Sequence, residues 1–191
     1  MLTLNRVGRS DVWSLRANEL MSLLNGPYHK TALLWLLLLT IGHWVEHLFQ
    51  AVEVFVLDWP RPQALGALGL LWPNLVTSEW LHYVIALVML VALVVLRPAF
   101  HGEARFWWNV VLAIQIWHHA EHALLLSQAL TGHYVFGAAV PTSILQLFFP
   151  RIELHLFYNA LATGPMVVGM LEHRQTAPGL RRRLTCTCAT A

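Results

Sequence analysis

Residues 41–50 read "IGHWVEHLFQ": two histidines and a glutamate inside a run that otherwise has the composition of a lipid-facing helix. The run extends over about 31–57, and crossing the hydrocarbon layer takes about 20 predominantly apolar residues. Three more runs of that kind lie at about 75–96, 107–130 and 150–172. The whole chain agrees, because 57% of its 191 residues are hydrophobic and only 12% are charged, about half the charged fraction of a soluble domain. A polar stretch of about 30 residues precedes the first run, which is not the layout of a cleaved signal peptide. The sequence therefore predicts an all-α integral membrane protein, a bundle of four spanning helices.

Basic residues set the orientation. Arg6, Arg9, Arg16 and Lys30 precede the first span, Arg97 and Arg105 flank the loop between the second and third, and Arg174 and Arg181 to Arg183 follow the last. Only Arg61 and Arg151 fall in the other two loops. This bias predicts a multi-pass protein of the plasma (inner) membrane with both termini cytoplasmic. The expected organisation is a cytoplasmic amphipathic segment (1–30), a four-span domain (31–174) and a cytoplasmic flexible tail (175–191). Within 10–24, "SDVWSLRANELMSLL", Ser10 or Asp11 is a suitable helix cap. Pro165, in "TGPMVVG", predicts a kink in the last span. Cys186 and Cys188 lie in the tail "RRRLTCTCAT" and are read as part of a disordered tail in a reducing cytosol, with a metal-binding C-x-C as the alternative. A net charge of +2 gives no basis for a nucleic-acid partner, so the expected partners are the lipid bilayer, a hydrophobic or small-molecule substrate and a second copy in a homodimer.

The opening stretch has an echo. "IGHWVEH" (41–47) and "IWHHAEH" (116–122) both read I-x-H-x-x-E-H, offset by 75 residues, and "EWLH" (79–82) is followed by "IELH" (152–155), offset by 73 at the histidine. The loops between these motifs, 58–73 and 131–150, are Pro/Gly-punctuated yet apolar and end in "LWPN" and "FFPR". They predict short helices lying in the interface. The ordered series of matches predicts an internal duplication of a two-helix hairpin, with repeat 1 at about 31–97 and repeat 2 at about 105–174.

Residues at i, i+3 and i+4 share one face of a helix. His43, Glu46 and His47 therefore form one group and His118, Glu121 and His122 another; Glu79 and His82 share a face, as do His155 and Asn159. Counting from the span ends at about 1.5 Å per residue, His47, His82, His122 and His155 lie roughly 8–15 Å below the loop-side surface. All four helices thus bring a histidine to one level. An ionised carboxylate near mid-bilayer costs about 3 kcal/mol on the gentlest insertion scale, whereas polar contacts between helices average about 0.6 kcal/mol. A bound cation is the simplest compensation. His43, Glu46, His47, His82, His118, Glu121, His122 and His155 are accordingly the expected metal ligands, with Glu79, Glu46 and Glu121 as catalytic carboxylates. His29, His101, His133 and His173 lie near span ends or in loops and are read as solvated.

Imidazole suits Zn, Cu, Fe and Ni, and carboxylate adds hard-oxygen bridging. Six imidazoles and two carboxylates exceed the needs of one zinc ion, and inward Glu and His ligands hold di-iron and di-manganese centres in four-helix bundles. The H-x-x-x-H and H-H-x-x-H spacings of 43–47 and 118–122 resemble the histidine boxes of membrane di-iron desaturases and alkane hydroxylases. The H-x-x-E-H pattern is similar to that of inverted zincin peptidases. The likeness covers only those residues, and neither the further boxes of the first nor the soluble fold of the second is matched. The sequence thus predicts two transition-metal ions, iron favoured over zinc or manganese, and redox or oxygen chemistry on a hydrophobic or small substrate. A zinc-dependent membrane hydrolase, a b-type cytochrome with axial histidines and a metal or proton transporter are the alternatives, haem being the less favoured cofactor.

Overall fold

The computed structural model describes residues 9–175 and 186–190 of the 191. The described chain is all-helical, with seven α-helices joined by short 3₁₀ turns. An N-terminal helix, α1 (Arg9–Leu24), precedes the first long helix, α2 (His29–Phe55). Two short helices follow, α3 (Gly66–Leu71) and α4 (Pro73–Val76), and then α5 (Glu79–Leu96), α6 (Gly102–Thr131) and α7 (Arg151–Arg174). The helix α1 already includes Ser10 and Asp11, so neither stands outside it as its cap. Helix α7 runs without interruption across Pro165.

Three helices are long and apolar enough to cross a membrane: His29–Phe55, Glu79–Ala99 and Arg151–Arg174. Their exposed faces are hydrophobic, with Trp35, Leu38, Phe49 and Val52 on α2, Val84, Val88 and Val91 on α5, and Phe157 and Leu161 on α7. Helix α6 is longer than any of them, yet it carries Glu103, Arg105, Asn109, Gln115, His118, His119, Glu121, His122 and Gln128 and is not one of the three. Of the four spans expected from the sequence, three are candidates by length and composition among the described residues. The reason lies in packing, because α6 lies along both α5 and α7 and turns Gln115, His118, Glu121, His122 and Gln128 inward.

The interior is divided along the helix axes. Towards the end that carries the start of α2 and the end of α7, it is apolar: Leu33, Leu36, Met89, Leu93, Leu96, Phe100, Trp108, Val111 and Met166 form one cluster. Phe100 stacks on Trp108 at 3.9 Å between ring centroids, and Gly169 lets α7 approach the α6 backbone at Ala104 and Trp108. Trp108 Nε1 donates to Leu93 O (2.8 Å) and, two turns further along α6, Gln115 Nε2 donates to Ala86 O (2.9 Å). These two bonds fix the register of α6 against α5 beneath the histidine-rich half. Asn25, in the α1–α2 turn, donates to Val95 O (2.8 Å) and accepts from Ala99 N (3.1 Å), tying that turn to the end of α5.

Two expectations for this end of the molecule are corrected. His29 and His173, read as solvated, are 0% and 1% exposed. Cys186 and Cys188, read as part of a free tail, are also buried, because residues 186–190 fold back against the first turn of α2 and the last turn of α7. Residues 176–185 lie outside the described residues.

Candidate metal centre

Four helices carry the histidines of the opposite half. His43 and His47 stand one turn apart on α2, and His118 and His122 one turn apart on α6. His82 is the fourth residue of α5, whose start is set by Ser78, its hydroxyl accepting from Trp80 N (3.2 Å). His155 is the fifth residue of α7, which begins directly after Pro150, a residue unable to continue a helix backwards. The six rings lie together. His47 is 4.6 Å from His155 and 5.9 Å from His82 between centroids, His122 is 5.3 Å from His155 and 5.7 Å from His82, and His43 is 4.5 Å from His47. All but His43 are buried.

Two rings have a defined tautomer. His47 Nδ1–H donates to Gln50 Oε1 (2.8 Å), and His155 Nδ1–H donates to Arg151 O (2.7 Å), since both partners can only accept. Each Nε2 therefore carries a lone pair, and neither has a hydrogen-bond partner among the described residues. Fixing one ring nitrogen so that the other is free is how metal-binding histidines are held. Donor atoms of His47, His82 and His155 lie within 4.8 Å of one another, as do those of His118, His122 and His155. His122 Nε2 and His118 Nε2 are 3.2 Å apart, close to the ~3.3 Å edge of a tetrahedron built on zinc–nitrogen bonds. Because His155 Nδ1 is already used, its single free nitrogen serves one triad at a time.

The glutamates expected as ligands stand in neither triad and are engaged elsewhere among the described residues. Glu46 accepts Leu68 N with both carboxylate oxygens (3.1 Å each), and Glu53 Oε2 accepts Gly66 N (2.8 Å). Together they satisfy N–H groups in the first turn of α3, which have no partner within the helix. Glu121 Oε1 accepts Leu145 N (3.0 Å), at the start of the turn Leu145–Leu147, and Oε2 accepts the Tyr158 hydroxyl (2.6 Å). Glu46 and Glu121 each precede a histidine by one residue, which rotates them by about 100° around the helix, onto a flank covered by the returning loop. Glu79 forms a bidentate pair with Arg151 (2.6 and 2.7 Å). That pair clamps the first turns of α5 and α7, and with them His82 and His155.

Gly66 makes the Glu46 contact possible. Its φ is +72°, and a Cβ there would collide with the Glu46 carboxylate. Gly66→Ala is expected to lose about 1–2 kcal/mol from the left-handed backbone alone and more from displacement of Glu46, read as a lower thermal midpoint in detergent. Gly42→Ala, where a Cβ meets nothing within 4 Å, serves as the neutral control.

Sequence reasoning passed over Gln50 and Tyr158. Gln50 was legible as the i+3 neighbour of His47; Tyr158 stands three residues after His155 but engages Glu121 instead. Of the remaining histidines, His119 faces Tyr83 (5.0 Å between centroids) and His133 is exposed. A cleft of ≈ 610 Å³ reaches the cluster from the loop end, with His47 and His82 at its base, Arg61, Glu79 and Arg151 along its side, and Val76, Leu126, Leu130 and Val140 as apolar wall. Arg61, in the first loop, pairs with Glu153 in the first turn of α7. Compared with known protein families, characterised proteins and solved structures, the chain matches none.

Proposed function

We propose that this chain is a multi-pass membrane metalloprotein whose histidine cluster holds transition-metal ions and performs redox or oxygen chemistry on a hydrophobic or small substrate entering through the cleft. The observation that carries the reading is the meeting of six imidazoles from four helices, with the Nε2 atoms of His47 and His155 left as buried, unpartnered lone pairs. An orphaned buried acceptor costs about 1–3 kcal/mol, and a coordinated ion removes that cost at several rings at once. Two ions fit the donor count, one on His47, His82 and His155, the other on His118 and His122 with His43 or an exogenous ligand completing it. With the carboxylates engaged elsewhere the donors are nitrogen only, a set that suits iron as well as zinc, copper and nickel.

Helix α6 belongs in the same layer as its neighbours in this reading, which makes a four-helix bundle with four passes. It is about 45 Å long and packs along two apolar helices. The matched roles of Glu46 and Glu121, each holding the start of a short helix in its own loop, support the duplicated hairpin. The arginine distribution supports the loop end as the non-cytoplasmic one in a plasma membrane.

A zinc hydrolase is the second reading, favoured by one observation: His47, His82 and His155 form a three-imidazole set with a cleft at their side. Three histidines and a water constitute a catalytic zinc centre. Elemental analysis with visible absorption and oxygen uptake, on protein expressed with iron and zinc supplied, separates the two. A coloured, oxygen-consuming sample with up to two irons per chain supports the first; a colourless zinc protein supports the second. A sample whose transition-metal content is the same with and without His155 overturns both.

A further inference from the structure

At the end of the molecule away from the histidine cluster, four classical metal-ligating side chains meet in the described structure. We propose that His29, His173, Cys186 and Cys188 form a separate structural zinc site that clasps the C-terminal segment onto the helices. His29 opens α2, His173 lies in the last turn of α7, and the two cysteines bracket Thr187. One donor atom each from His29, His173 and Cys188 lies within 4.8 Å of the others, and Cys186 Sγ is 3.3 Å from His173 Nε2. The two rings are 5.2 Å apart between centroids. Tetrahedral zinc with two sulfur and two nitrogen ligands needs donor separations of ~3.3–3.8 Å, so closure draws the side-chain tips together, Cys186 already standing at that distance from His173.

Two further observations point to a ligand here. His29 Nδ1–H donates to Leu24 O (3.0 Å), which leaves Nε2 as a lone pair; that atom is fully buried and has no partner among the described residues. It repeats the arrangement of His47 and His155, one ring nitrogen fixed and the other presented. The C-x-C turn is also placed by its backbone, since Thr187 N donates to Gly26 O (3.1 Å) and Lys30 N donates to Thr187 Oγ1 (3.3 Å). All four residues are buried, the closed environment of a structural rather than a catalytic zinc site. Binding Zn²⁺ displaces the two thiol protons to solvent and joins the α1–α2 turn, the end of α7 and the segment 186–190 in one unit.

The test uses the full chain in detergent, stripped by chelator and titrated with Co²⁺ and Zn²⁺ alone. One equivalent of Co²⁺ is expected to give thiolate-to-metal charge-transfer absorption in the near ultraviolet. That absorption should vanish in Cys186→Ser/Cys188→Ser and persist in His155→Ala, which separates this site from the histidine cluster. Wild-type protein, which avoids any folding defect of the variants, should show iodoacetamide labelling of both cysteines slowed by more than about tenfold when Zn²⁺ is present. No charge-transfer band, zinc-independent labelling, or a Cys186–Cys188 disulfide in freshly prepared protein overturns the site.

Discussion

His155→Ala is expected to lower the affinity of the central cluster for metal by more than about 100-fold, because loss of a residue that merely orients a ligand already costs 10–100-fold. His155 is the ring common to both triads. Its Nε2 is presented by the bond from Nδ1–H to Arg151 O, and no other described side chain lies on α7 at that level with an imidazole. Elemental analysis after equilibration against a metal buffer reads the effect. A graded series sharpens it. Gln50→Ala, which frees His47 Nδ1, should fall in the 10–100-fold range, and His101→Ala, at the start of α6, should change nothing. Equal losses in all three variants would show that metal content follows fold integrity and not coordination.

Glu121 supplies the second large effect, and here stability and metal binding should part. Its carboxylate is buried and accepts both Leu145 N and the Tyr158 hydroxyl. Glu121→Ala orphans both donors at about 1–3 kcal/mol each, which for a chain of this size corresponds to a fall of roughly 4–24 °C in thermal midpoint. Glu121→Gln keeps an oxygen for Leu145 N and should recover most of that loss. Metal content should survive in Glu121→Gln, since the carboxylate spans a helix and a loop without reaching an ion. A glutamine variant as stable as wild type but emptied of metal would return Glu121 to the ligand set.

Much of this was legible in the helical period. The I-x-H-x-x-E-H spacing places His43 and His47 on one stripe and His118 and His122 on another, and the rise per residue sets their level against His82 and His155. The glutamates were grouped with the histidines because a stripe about 100° wide holds both Glu46 and His47. Whether its edge looks at the axis or at a loop depends on what the loop does. The loop returns over that edge because α3 and the turn Leu145–Leu147 begin there with N–H groups that lack a partner in their own turn and bond Glu46 and Glu121 instead, a fact of chain path and not of pattern.

The number of spans turns on a related point. Average polarity separates α6 from its three apolar neighbours, although its polar side chains are turned inward between α5 and α7. Composition reports how much polar surface a helix has; only packing reports which way that surface faces.

By itself the sequence determined an apolar, all-helical chain and a common level for its histidines, because periodicity and helix rise are local properties of the backbone. The tertiary structure alone decided what stands beside what. It gave Glu46 and Glu121 to the loops, paired Glu79 with Arg151, and set Cys188 beside His29, 159 positions away in the chain. Those partnerships follow from the path of the loops and the tail, and no periodicity encodes a contact between segments so far apart.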